Sequence, residues 1–337
     1  MMVLFNRRQT LGLMGAAAAS LATPAIAQNK KIVVGALNLA SHSGSFIALE
    51  RGYFADAGLD VELKFFQAAQ PMAVAIASGD VDFGVTAITG GLISLADKGA
   101  VKVFGGALTE EPGIEGQKIL ASNAAFDAGV KTPKDMDGKR FGVTTAGSSF
   151  HYMGSKVAEK EGVKLEFVPL QKVGAVIGAL KSGQIDAWSI VPNIAGGLTG
   201  ADAAHEIGII ADYLPNYQVT TLFTSAKNAS DRREETKAFL TGYNRGAADY
   251  NAAMVDKTAD DADALVEIIH KYVYSDQPIE TASASIKAGS MRLSKNAALN
   301  LASVRDQLSW FQSEDLVDKS ISIETLVDTS YVDIIEN

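Results

Sequence analysis

The chain repeats itself at a fixed offset of 104 positions, without gaps. Ser45-Phe46 falls on Ser149-Phe150, and Gly58-Leu59-Asp60-Val61-Glu62 on Gly162-Val163-Lys164-Leu165-Glu166. Gln67 falls on Gln171 and Ala75 on Ala179. Ser78-Gly79-Asp80-Val81-Asp82 falls on Ser182-Gly183-Gln184-Ile185-Asp186. A repeat fixes architecture before any single element does, and this one is far too long for a solenoid unit. It reads as two similar α/β lobes in one chain, and two facing lobes make a cleft.

Each copy predicts the same order of elements. In the first, residues 31–37 form a buried strand, 38–45 a loop, and 46–57 a helix that stops at Gly58. Residues 59–66 form a strand. Pro71 opens a helix that Gly79 ends, and 81–85 is a strand with its loop at 86–89. In the second, strands at 140–144, 165–170 and 185–190 alternate with helices at 150–161 and 173–181. Strands alternating with helices imply mostly parallel sheets with right-handed crossovers. Ligands of such sheets sit beyond the carboxyl ends of the strands.

Residues 105–116 and 214–225 read as crossings between the lobes, and two crossings make a hinge. Beyond Ala226, residues 232–250, 260–273 and 296–312 carry apolar side chains at helical spacing. That tail is expected to pack on the first lobe. The expected division is a signal peptide at 1–27, a discontinuous first lobe at 28–110 with 222–337, and a second lobe at 111–221.

Arg7 and Arg8 precede an apolar, Ala-rich stretch and then Ala25-Ile26-Ala27, the pattern of a cleavable export signal. The paired arginines point to the twin-arginine route. The rest of the chain holds 28 basic and 39 acidic residues, net −11. An acidic chain without a basic patch is a poor partner for nucleic acid. With no Cys there are no disulfides, thiolate metal sites or cysteine nucleophile. The mature protein is expected to be soluble, periplasmic and monomeric.

Two repeat-related loops open helices: Ser41-His42-Ser43-Gly44-Ser45 and Gly147-Ser148-Ser149. A helix N-terminus presents unpaired N–H groups and the positive end of a dipole, so it binds an anion without Lys or Arg. A serine in that place also fits plain capping. His42 and His151 stand at these loops and can donate to an anion or polarise a carbonyl. Trp188, near the end of the last strand of the second copy, can stack on a planar ligand or pack in the core. Gln67, Thr86 and Thr89 are polar residues at strand ends. Asp82 and Asp186 follow helix-ending glycines and read as turn or strand-start residues rather than catalytic acids. There is no G-x-S-x-G elbow, P-loop, H-E-x-x-H or G-x-G-x-x-G motif, and no metal-ligand spacing. Ser149 and His151 are two residues apart and face different sides of a helix, so they form no nucleophile–base pair. No cofactor and no enzymatic activity are expected.

Three segments resemble the periplasmic solute-binding proteins of sulfonate, taurine and nitrate uptake, with their pyrimidine-precursor relatives. They are Phe46-Ile47-Ala48-Leu49-Glu50-Arg51-Gly52-Tyr53-Phe54 with Gly58-Leu59-Asp60-Val61, then Ala77-Ser78-Gly79-Asp80-Val81-Asp82-Phe83-Gly84, then Gly147-Ser148-Ser149-Phe150-His151-Tyr152. The resemblance implies a two-lobed clamshell that hands its ligand to the permease of an ABC importer. It also implies ligand contacts from His42, Ser43, Thr86, Thr89, Gly147, Ser148 and Ser149. No Lys or Arg occupies these loops, which argues against a small, strongly hydrated anion such as nitrate. A small organic acid fits, either an aliphatic sulfonate or an aromatic carboxylate, and a neutral pyrimidine also fits. The other readings are a pyrimidine-precursor synthase and a sensor domain that delivers ligand to a receptor.

Overall fold

The computed structural model describes residues 29–336, so the segment read as an export signal lies outside the described residues. The chain opens with β1 (Lys30–Ala36), which buries Ile32, Val34 and Ala36. A 3-10 turn at Ala40–His42 leads into α1 (Ser43–Glu50). Gly52, at φ 72°, separates α1 from the short α2 (Tyr53–Asp56). One helix had been expected here. A left-handed residue cannot continue a right-handed helix, and glycine takes that conformation without strain. Next come β2 (Leu59–Phe65), α3 (Ala69–Ser78), β3 (Phe83–Thr86), α4 (Gly90–Asp97) and β4 (Val101–Gly106).

The first crossing holds β5 (Leu108–Thr109). The second lobe follows as β6 (Lys118–Ala121), α5 (Asn123–Asp127), β7 (Lys139–Val143), α6 (Ser149–Glu161) and β8 (Leu165–Pro169). It continues through α7 (Val173–Lys181), β9 (Ala187–Ile190), α8 (Pro192–Gly200) and β10 (His205–Ile209). The chain then returns to β11 (Thr221–Ser225), α9 (Ala226–Asp231) and α10 (Arg233–Tyr250), which runs on into a π turn, Asn251–Val255. The tail is α11 (Ala262–His270), α12 (Ile279–Ala288), β12 (Arg292–Leu293), β13 (Leu299–Asn300), α13 (Leu301–Ser313), α14 (Ile323–Leu326) and β14 (Ile334–Ile335). The helix expected at 296–312 starts only at Leu301, because Asn296 and Ala297 both have positive φ. Among the described residues no helix is long and apolar enough to cross a membrane.

The two large sheets have one topology. The first runs β2-β1-β3-β11-β4 and the second β8-β7-β9-β6-β10. In each, the first three strands are parallel and the fourth is antiparallel to its neighbours. That fourth strand is always the one that has just arrived from the other lobe.

The repeat-related aspartates do one job. An Asp82 carboxylate oxygen accepts the Val33 amide, and an Asp186 carboxylate oxygen the Arg140 amide, each at 2.8 Å. Each aspartate also holds an arginine, Arg232 at 2.7 Å and Arg140 at 2.8 Å.

The tail does more than pack on the first lobe. Helix α10 lies on α1 so closely that a Cβ on Gly246 would fall 2.3 Å from the Gly44 carbonyl oxygen. Yet α12 packs on α8 and α13 on α6, both in the second lobe. The Tyr152 hydroxyl donates to Asp306, and Lys156 reaches the same carboxylate at 3.0 Å. The amphipathic tail thus has two apolar contacts to satisfy, one on each lobe.

Candidate binding chamber between the lobes

The carboxyl ends of both sheets face one small chamber of about 60 Å³. Its walls include a cap or first-turn residue from five helices. His42 opens α1, and Ala68 and Ala69 open α3, both in the first lobe. Ser148 and Ser149 open α6, Val173 opens α7, and Val191 opens α8, all in the second. Leu108 and Gln117 enter from the first crossing, Val219 and Thr220 from the second. None of the residues lining it is Lys, Arg, Asp or Glu. Without a cationic side chain, the helix N-termini are the chamber's source of positive charge.

The lobes touch across it. The Gly90 amide donates to the Gly147 carbonyl at 2.9 Å, and the Val173 amide points at the Gln67 carbonyl at 3.5 Å. Two polar atoms of the lining are buried with no partner, His42 Nδ1 and Ser148 Oγ. Burial pushes the His42 imidazole down to about 3, so it is neutral at ordinary pH. Buried polar groups are nearly always paired, and an unpaired one asks for an explanation.

The expected site residues divide. Ser41, His42, Thr86, Ser148 and Ser149 line the chamber. Gln67 lies further out, in a groove that continues from it. Ser43 is fully buried, its hydroxyl bonded to the Ala40 carbonyl at 2.6 Å, and Ser45 is buried inside α1. Thr89 caps α4: its Oγ1 accepts the Leu92 amide at 3.0 Å and donates to Gln70 at 2.9 Å. Ser148 holds the corresponding cap position on α6 but makes no side-chain cap bond, so its hydroxyl stays without a partner.

Gly147, at φ 70°, shapes the loop. His151 sits beneath it, its Nδ1 accepting the Gly147 amide at 3.1 Å, its ring edge-on to Trp310. Burial lowers the His151 pKa, in keeping with that acceptor role. Trp188 is fully buried against Phe150, and Phe150, not Trp188, reaches the chamber. The sequence reading missed Thr144 and Gln117. Thr144 follows β7 as Thr86 closes β3, so the strand-end rule could have found it. Gln117 sits in the crossing, where no motif marks it. Among the described residues no group of three or more His, Asp or Glu could hold a metal ion.

A family model described as NMT1/THI5 like matches residues 39–253, and so includes the chamber loops of both lobes. The chain belongs to the NMT1/THI5-like family. A Brucella abortus relative named as a binding protein is 26% identical over 265 residues, 75% of this chain and 77% of its own. The NMT1/THI5-like chain has the periplasmic-binding-protein fold. The alkanesulfonate-binding protein of Xanthomonas axonopodis pv. citri, solved with MOPS bound, superposes at TM-score 0.70 with 16% identity, covering 89% of this chain and 98% of that one. The zinc-bound ligand-binding component of an ABC-type import system from Staphylococcus aureus gives 0.70 and 14%, covering 90% and 97%.

Proposed function

We propose that the protein is the periplasmic substrate-binding component of an ABC importer and that it captures a small organic acid between its lobes. One observation carries this reading. Five helix N-termini from two lobes converge on a chamber that holds unpartnered Ser148 and His42 atoms and no charged side chain. Such a site stabilises a single negative charge by many weak donors. It does so without a cation that would hold the ligand after the lobes part. Closure is favoured because only the closed state offers donors from both lobes. The permease then reads the closed form.

The lack of a cation also favours a second reading, a neutral hydrogen-bonding ligand such as a pyrimidine held in the wider cleft between the lobes. The test is calorimetry and thermal shift against monocarboxylates, sulfonates and pyrimidines, with native mass spectrometry of protein taken from its periplasm. A ligand at a hundred times its Kd stabilises by about 2.7 kcal/mol. No shift with any compound, and no co-purified small molecule, overturns the proposal.

A further inference from the structure

The chamber does not end at its own walls. Leu37, Leu39 and Val173 line both it and a wider groove of about 680 Å³ that opens outward between the lobes. The inner chamber is well under half of the roughly 150 Å³ of a closed cavity that takes benzene, so it suits a compact head group. The groove is in the range of small-molecule sites, about 300–1,000 Å³.

Part of the groove wall is bare backbone. Gly174 on α7 and Gly196, Gly197 and Gly200 on α8 line it, all exposed. A Cβ on any of them would meet no atom within 4 Å. Glycine inside a helix is unfavourable, so it usually answers a close contact. At Gly154 and Gly242 it does, while Gly178 on α7 is open. A Cβ on Gly154 would fall 2.7 Å from the Phe167 ring, and on Gly242 2.5 Å from Phe54. The groove glycines have no such neighbour within the chain. The rest of the wall includes Phe66 at the end of β2 and Tyr274 from the tail, whose hydroxyl accepts from Asn193 Nδ2 at 3.0 Å. Bare peptide planes and two aromatic rings are flat surfaces, suited to a flat guest.

We propose that this groove is a second subsite that takes the planar aromatic body of a ligand whose acidic head occupies the chamber. The inference rests on the binding-protein reading above and narrows its substrate class to aromatic acids. The probe is 2-naphthoate, compared by calorimetry with octanoate and acetate. The variants are Gly197→Leu and Gly174→Leu, each placing a side chain in open groove space at a helical position that leucine favours; circular dichroism checks the fold.

In the unaltered protein 2-naphthoate is expected to bind at least tenfold more tightly than either other acid. Each leucine is expected to weaken 2-naphthoate at least tenfold more than it weakens acetate. Octanoate binding as tightly as 2-naphthoate, or leucine variants that leave 2-naphthoate unchanged, overturns the aromatic subsite and leaves the binding-protein reading standing. If none of the acids binds but native mass spectrometry finds another ligand, the acid class is overturned alone. If nothing binds, both readings fall.

Discussion

The amide of Gly90, the first residue of α4, donates to the carbonyl of Gly147, in the loop before α6, at 2.9 Å. This bond joins the two lobes one residue before Ser148, which lines the chamber. It needs Gly147 at φ 70°, a conformation that costs other residues about 1–2 kcal/mol. Gly147→Ala is therefore expected to destabilise by about that amount in urea unfolding and to weaken ligand binding. Gly178→Ala is the control. It lies on α7 in open space with no positive φ, and should stabilise by about 0.5–1 kcal/mol.

Ser148 and Thr89 occupy like positions and do different work. Thr89→Ala removes a helix cap and should cost about 1 kcal/mol. Ser148→Ala removes a buried hydroxyl that has no partner, so stability should hold or rise. Ligand affinity should fall instead, by about tenfold, the worth of one hydrogen bond near 1.4 kcal/mol. Thermal unfolding and calorimetry on both variants check the contrast. A Ser148→Ala protein that loses stability but keeps its affinity would refute it.

Glu110 lies in the first crossing, where its amide donates to the Tyr217 carbonyl of the second. Burial pushes its carboxyl up to about 7, against the opposing pull of the Gln117 amide and Lys118 and with Glu115 adding to the rise. Between its ordinary value of 4.5 and about 7, the native state binds this proton and the unfolded state does not. The stability is full below that window and is lost as pH rises through it, by about 3 kcal/mol at most.

His42 acts in the opposite sense. Its contribution is present above 6.5 and is lost as pH falls toward about 3. Glu110→Gln keeps an acceptor for the Gln117 amide and removes only the Glu110 part. The variant should match the unaltered protein at pH 4 and exceed it at pH 8. A difference that does not change with pH, in denaturant titrations across this range, contradicts the assignment.

Asp306 on α13 receives both the Tyr152 hydroxyl and Lys156 from α6. Asp306→Ala leaves Tyr152, almost fully buried, without its partner, at a cost of about 1–3 kcal/mol. Because the bond spans the tail and the second lobe, part of that cost should appear as lobe opening. Small-angle scattering should show a larger radius of gyration without ligand, and a return to the compact value with it.

Much of the scaffold could be read from the repeat. Gly58 and Gly162, and Gly79 and Gly183, all have positive φ, as helix-ending glycines should. Asp82 and Asp186 proved to be strand anchors. Other features were hidden for physical reasons. A run of apolar residues does not name its partner strand, so the antiparallel placement of β6 and β11 inside their sheets could not be read from local pattern. An amphipathic tail shows that it packs but not on what, and α12 and α13 turned out to touch the second lobe. In the site, a hydroxyl before a helix can cap it or face a ligand. Only the position of the atom separates Thr89 from Ser148, and only burial places Trp188 behind Phe150.

The late arrival of β11 also sets an order of assembly. All five strands of the second sheet lie within residues 118–209, so that half can assemble from a continuous stretch. The first sheet cannot close until β11 slots between β3 and β4, more than a hundred residues after β4. During that wait β3 and β4 present open edges to any passing strand. Chaperone demand and misassembly should therefore concentrate in the N-terminal half, while the half made later matures sooner.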